Sequence, residues 1–158
     1  MKQLVLIFCI LVSSQLSAQN HYTSPKLQLS FDTSETLEEY ETESESVIGF
    51  DNDDFAVDIE IIAADQQSDN FLNDLRYVAH AIARDFGLVD IQDGGKLPKI
   101  ENAYYVKAYD FDDGLKYPCY IIAISDPKLK NTFEISIDCY NGNANAADEI
   151  VKSIRLNP

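Results

Sequence analysis

The sequence is poor in the residues that carry most enzyme chemistry. It has two histidines, three cysteines, one methionine and no tryptophan among 158 residues. The motifs HExxH, CxxC, GxSxG and GxGxxG are absent, which excludes the motif-bearing forms of zinc proteases, dithiol oxidoreductases, α/β hydrolases and dinucleotide-binding enzymes. We therefore predict no catalytic, cofactor-binding or metal-binding residues and no cofactor.

Basic residues are also scarce. The chain has 12 lysines and arginines against 27 aspartates and glutamates, a formal net charge of −15. It therefore lacks the basic stripe that nucleic-acid binding requires, and it repels phosphate backbones. A cationic ligand or partner is permitted by this charge, as is the simpler interpretation of a solvated acidic surface. The partner, a protein or a small molecule, stays unspecified.

Long apolar runs are limited to one. Residues 4–12 are all apolar, follow Lys2, and lead into a small, polar stretch that ends at Ala18. This pattern is typical of a secretory signal peptide, and it is too short to span a bilayer, which needs roughly 20 apolar residues. We predict a signal peptide at 1–18, export to the periplasm or outside the cell, and no membrane insertion after cleavage.

The segment 19–46 carries little apolar sequence. We predict a mobile leader at residues 19–25, which include His21, and a first short strand at residues 26–31. Residues 32–46 predict a flexible acidic loop, because their like charges repel one another and bury almost nothing. A cation-binding role for this loop is the alternative. The glutamates concerned are Glu35, Glu38, Glu39, Glu41, Glu43 and Glu45.

The segment 47–158 predicts a globular domain. Residues 55–61 alternate between apolar positions and a polar side that carries Asp58 and Glu60, which indicates a half-buried strand. Apolar residues at helical spacing then predict a helix over 71–86, capped by Ser68 or Asp69 and ended by Gly87. The apolar stripe of this helix comprises Phe71, Leu72, Leu75, Val78, Ala79, Ile82 and Phe86.

Neither histidine is placed as a catalytic base would be. His80 falls on the side of the predicted helix opposite its apolar stripe, so we predict that it faces solvent. His21 lies in the predicted leader. A Ser-His-Asp or Cys-His site needs its base on a fixed scaffold beside the nucleophile.

The remainder of the chain predicts mostly strands. Residues 88–91 predict a brief strand and 93–96 a turn, before strands at 103–110, 116–125 and 132–139. Asp113-Gly114 predicts a hairpin turn. Apolar residues at 147, 150, 151 and 154 predict a short closing helix.

Two aspartate clusters allow either a cation site or a turn. Asp110 and Asp112 have the alternate spacing of a calcium loop, but Gly114 occupies the place of the third ligand and no glutamate follows. Turn chemistry explains the Asp-Gly pair without a metal. The first cluster comprises Asp51, Asp53 and Asp54, and the second comprises Asp110, Asp112 and Asp113.

This element order resembles a known family. The leading hairpin VIGFDNDDFAVDIEII, the long helix, the meander AYYVKAYDFDDG–YPCYIIAIS–FEISIDCY and the closing ADEIVKSIRL are similar to the PsbP/Mog1/DcrB-like group over residues 45–156. The resemblance implies an α+β fold, an α/β/α sandwich with one long and one short helix on a central antiparallel sheet. Members are mostly non-enzymatic accessory or binding proteins, several of them exported. No residue role is carried over.

Two cysteines remain after signal removal. An even count in an oxidising compartment suggests a disulfide between Cys119 and Cys139. A register that pairs Asp126 with Thr132 would place them opposite each other, whereas a one-residue slip would place them on opposite faces of the sheet. Two free, buried thiols are the alternative.

Two functional hypotheses follow. The first is an exported, non-catalytic binding or accessory module of unspecified ligand. The second is a small exported hydrolase in which Asp58 and Glu60, on one strand face, act as acid and base. The first hypothesis leaves the residues that would contact a ligand undefined.

The processing site provides the first test. Because the small residues end at Ala18, we expect the exported protein to begin at Gln19 or within about two residues of it. N-terminal sequencing of the exported fraction measures this. An intact Met1 in that fraction would contradict the signal-peptide prediction.

Overall fold

The computed structural model describes residues 19–24, 28–42, 44–62, 74–125 and 132–157. The predicted signal peptide at 1–18 lies outside these residues. The described part contains ten strands, namely β1 (Asn20–Ser24), β2 (Leu29–Thr33), β3 (Glu38–Glu41), β4 (Val47–Asn52), β5 (Phe55–Ile62), β6 (Val89–Lys96), β7 (Ala103–Asp112), β8 (Leu115–Ile124), β9 (Thr132–Cys139) and β10 (Arg155–Leu156). It also contains two helices, α1 (Leu75–Asp85) and α2 (Ala144–Ser153).

The strands form two antiparallel sheets. The larger has the order β3-β4-β5-β9-β8-β7-β6, and the smaller has the order β1-β2-β10. Helix α1 packs against β6, β7 and β8, whereas α2 packs against β2 and β9. The two helices bury separate sets of apolar side chains on opposite faces of the large sheet. This arrangement confirms the predicted α+β sandwich.

Helix α1 begins later than predicted. Asp74 caps it by accepting a hydrogen bond of 2.9 Å from the backbone N–H of Tyr77, and Gly87 ends it with φ +75°. The predicted caps Ser68 and Asp69, with Phe71 and Leu72, lie outside the described residues. Phe86, predicted in the buried stripe, is 56% exposed because it follows the last helical turn. No helix in the described residues is long and apolar enough to cross a membrane.

The prediction of a mobile leader and a wholly flexible acidic loop is wrong. Residues 20–24 form β1, which pairs with β2, and Tyr22 stacks on Phe31 with ring centroids 5.2 Å apart. The predicted strand at 26–31 is observed at Leu29–Thr33. Within the predicted loop, Glu38–Glu41 form β3 at the edge of the large sheet, where alternation separates neighbouring carboxylates onto opposite faces.

Of the two turns predicted at Asp113-Gly114 and at 93–96, the first is confirmed and the second is wrong. Asp113 and Gly114 have φ +47° and +80° and join β7 to β8 as the two-residue hairpin that Asp-Gly favours. By contrast, the predicted turn at 93–96 lies inside β6, which continues to Lys96. Register shifts interrupt its pairing with β7, and Gly95 adopts φ +113° there, so the glycines mark an irregular strand.

No disulfide joins Cys119 to Cys139 in the structure, which matches the alternative of two free thiols. Cys119 pairs with Asp138 across β8 and β9, one residue away from the register that would have joined the two cysteines. This slip places Cys119 and Cys139 on opposite faces of the sheet. Both are free and buried, and burial raises the pKa of the Cys139 thiol to about 12.

Thiol accessibility tests this register. We expect no reaction of the native protein with a thiol reagent at neutral pH, because both thiols are buried and protonated. Unfolding without reductant should release both. Absence of free thiols in the unfolded, unreduced protein would contradict the β8–β9 register.

Candidate functional site

Within the described residues, helix α1 packs mainly on β6, β7 and β8. No described helix covers the half of that sheet face formed by β3, β4, β5 and β9, which we call the open half. A groove of about 370 Å³ lies on this open half. It is lined by Tyr40, Thr42, Val47, Asp58, Glu60, Phe86, Glu134, Ser136 and Asp138. We call this the acidic groove.

Strand pairing brings the carboxylates of the groove together. In the β5–β9 register, Asp58 lies opposite Ser136, and Glu60 lies opposite Glu134. Directly paired residues share a face and have their Cβ atoms roughly 5 Å apart. The prediction that Asp58 and Glu60 share a strand face is confirmed, since both line the groove. The sequence did not indicate Glu134 and Asp138, because their position depends on the distant pairing of β9 with β5.

Tyr40 forms the outer wall of the groove. It lies on β3 opposite Gly49 of β4, and its hydroxyl donates a hydrogen bond to Asp58 on β5. Burial and the neighbouring Asp58 carboxylate raise the pKa of Tyr40 well above its usual range. Tyr40 is therefore a neutral donor that occupies one oxygen of Asp58.

Glu134 is the most perturbed carboxylate of the groove. Burial raises its pKa to about 7, with further contributions from the negative charges of Glu60 and of Asp85 at the end of α1. Like charges directly opposite on adjacent strands are unfavourable. Near neutral pH, Glu134 is therefore in exchange between its neutral and charged forms, and a cation in the groove would favour the charged form.

Asp138 closes the far end of the groove. It accepts a hydrogen bond of 2.9 Å from the Cys119 thiol. Burial raises the pKa of Asp138 even though this hydrogen bond lowers it. Burial and the Asp138 carboxylate also raise the pKa of Cys119, so this thiol is a buried donor and a poor nucleophile at neutral pH.

The two histidines lie outside the groove. The prediction that His80 faces solvent is only partly correct. Its side chain is 21% exposed, and its Nε2 lies 2.8 Å from Asp93. Arg76 donates two hydrogen bonds to the same carboxylate, so this group ties α1 to β6. His21 contacts Asp32 at 2.7 Å and joins β1 to β2.

The aspartate clusters do not assemble a metal site within the described residues, where no group of three suitable ligands is found. Asp113 forms the β7–β8 turn. Asp51 pairs with Glu38 across β3 and β4.

No protein-family model and no curated protein matches the chain. Solved structures do match it. The Ran-binding protein Mog1p of Saccharomyces cerevisiae aligns over 88% of this chain and 95% of its own, with TM-score 0.59 and 6% identity. A point mutant of Mog1 aligns over 87% of this chain and 95% of its own, with TM-score 0.58 and 6% identity.

The fold is Mog1/PsbP-like. A Bacteroides thetaiotaomicron structure is also similar, with TM-score 0.51, 16% identity, and coverage of 87% of this chain but 48% of its own. These identities are low, so the likeness concerns the fold alone. It confirms the resemblance that the element order indicated.

The pKa of Glu134 implies a pH-dependent stability. Because its folded-state pKa is about 7, above the ordinary 4.5, the folded protein holds this proton more tightly than the unfolded chain does. Its contribution to stability is therefore fully present below about pH 4.5 and is lost as pH rises through 7.

We expect Glu134→Gln to raise the free energy of unfolding at pH 8 by about 1 to 3 kcal/mol and to change it little at pH 4.5. Urea unfolding at both pH values measures this. Exposed Glu101, changed to Gln, is the control and should behave as wild type at both. An equal effect of Glu134→Gln at the two pH values would contradict the assignment.

Proposed function

We propose that this protein is an exported, non-catalytic binding module whose acidic groove binds a cationic segment of a protein partner. The observation that carries the proposal is the Glu60–Glu134 pair, two carboxylates directly opposite each other on adjacent strands. Both line the groove, where Glu134 is half-buried and Glu60 is exposed. Among the described residues, no lysine or arginine forms an ion pair with the carboxylates of the groove. The described part of the chain therefore supplies no cationic partner for these carboxylates.

The shape of the groove favours a lysine or arginine side chain. The ring of Phe86 lies at the wall and is exposed. An aromatic face beside carboxylates suits a side chain with an apolar stem and a cationic end. A cation bound beside Glu60 and Glu134 would relieve the repulsion between them, and this relief would make binding more favourable.

The fold supports a protein partner. Mog1p, with the same fold, is named as a Ran-binding protein. The name of this neighbour supports a protein partner for this chain. The signal-peptide pattern of residues 1–18 supports export. Nothing in the described residues or in the comparisons supports the hydrolase alternative, and Asp58 is already engaged by Tyr40.

Binding of a tetralysine peptide, measured by calorimetry at pH 7.5, tests the proposal. We expect Glu60→Gln and Glu134→Gln each to weaken binding by about tenfold, the size of one lost charge-assisted contact. Glu101→Gln changes the net charge equally but lies outside the groove, so it should retain wild-type affinity.

A tetraglutamate peptide should not bind. Equal losses in all three variants would show that the peptide senses only the net charge, and absence of tetralysine binding to the wild type would contradict the proposal. Affinity should also rise from pH 6 to pH 8, because the charged form of Glu134, whose pKa is about 7, binds the cation.

A further inference from the structure

Three residues that pair across β3, β4 and β5 connect the edge of the large sheet to the groove. Tyr40 on β3 pairs with Gly49 on β4, and Gly49 pairs with Asp58 on β5. All three therefore share the face that carries the acidic groove. Tyr40 reaches Asp58 by crossing the middle strand at Gly49, where its hydroxyl donates to the carboxylate.

The crossing requires that position 49 has no side chain. A Cβ atom added to Gly49 would lie 2.1 Å from Cζ and 2.6 Å from the hydroxyl oxygen of Tyr40. These distances are far below van der Waals contact, so the ring would have to move. The backbone does not itself demand glycine here, because Gly49 is not among the glycines with positive φ.

We infer that Gly49 is a positioning residue for ligand binding: it lets the Tyr40 ring lie across β4, where Tyr40 holds Asp58 and forms the outer wall of the acidic groove. This inference rests on the proposed function and deepens it. Without the Tyr40 hydrogen bond, Asp58 is free to change rotamer and the groove loses its outer wall. A preorganised carboxylate costs less ordering on binding than a mobile one.

Alanine at position 49 should act mainly on the groove. The atoms that a new methyl group would meet are at the far end of the Tyr40 side chain, and this side chain lies on an edge strand. The ring can therefore swing outward while the β3–β4 backbone pairing is kept. We expect Gly49→Ala to leave the protein folded and to break the contact between Tyr40 and Asp58.

The chain offers a matched control at the other edge of the same sheet. Gly94 lies on edge strand β6, and a Cβ atom there would be 2.1 Å from Cε2 of Tyr105 on β7. Tyr105 packs with the apolar cluster on the opposite face and stacks on Tyr120. Gly94→Ala therefore makes the same change, a methyl group against a tyrosine ring, away from the groove.

A double-mutant cycle on tetralysine affinity tests the inference. We expect Gly49→Ala and Tyr40→Phe each to weaken binding about fivefold, the order of one hydrogen bond to a charged group. The double variant should be no weaker than either single variant, because both act through the same contact. Gly94→Ala should bind as wild type. Additive losses, or an equal loss in Gly94→Ala, would overturn the inference.

A spectroscopic measurement separates this inference from the proposed function. In protein carrying ¹³C-labelled tyrosine, the Cζ resonance removed by Tyr40→Phe belongs to Tyr40. We expect it to shift in Gly49→Ala and to stay in place in Gly94→Ala. If the wild type fails to bind tetralysine while this pattern is seen, the proposed function fails but the positioning geometry stands. An unchanged Tyr40 resonance in Gly49→Ala would overturn the positioning role itself.

Discussion

The pairing register of β5, β9 and β8 decides which side chains are buried and which line the groove. Because side chains alternate along a strand, a slip of one residue would exchange the two faces. In the observed register, Ile135 and Ile137 of β9 face the core beneath α2. Glu134 and Asp138, which flank these two isoleucines along the strand, face the groove. The hydrophobic core and the acidic groove are therefore two consequences of the same pairing.

Among the described residues, α1 covers only part of the sheet face that carries the acidic groove. The helix covers the β6–β8 half of the face, where the sheet presents small and apolar residues such as Val106 and Ala123. Over β5 and β9 the same face carries carboxylates, which would lose hydration without compensation beneath an apolar helix. The open half thus keeps partial contact with water. The cost is repulsion between Glu60 and Glu134, which contributes to the raised pKa of Glu134.

The sequence predicted best what depends on neighbours along the chain. Helical spacing indicated α1, and Asp113-Gly114 indicated the β7–β8 hairpin. Alternation placed Asp58 and Glu60 on one face. Strand β1 and the acidic edge strand β3 were missed, because what orders them is pairing with other segments.

The sequence alone did not predict which residues of β9 line the groove. Glu134 lies beside Glu60 only because β9 pairs with β5, a contact between segments far apart in the chain. The cysteines show the same limit, since the local pattern allowed two registers and only one joins Cys119 to Cys139. Tyr40 was missed for a related reason. Its role depends on the space left by Gly49 on the next strand, which no periodicity in the sequence reveals.

The most direct test of this account is to map the binding surface by NMR. In ¹⁵N-labelled protein titrated with tetralysine at pH 7.5, the account expects the largest amide shifts in β5, β9 and the C-terminal end of α1. Binding governed only by net charge would instead place comparable shifts at other acidic segments, above all the turn at Asp113. Shifts spread in that way, or concentrated on the face beneath α2, would contradict the claim that the acidic groove is the functional site.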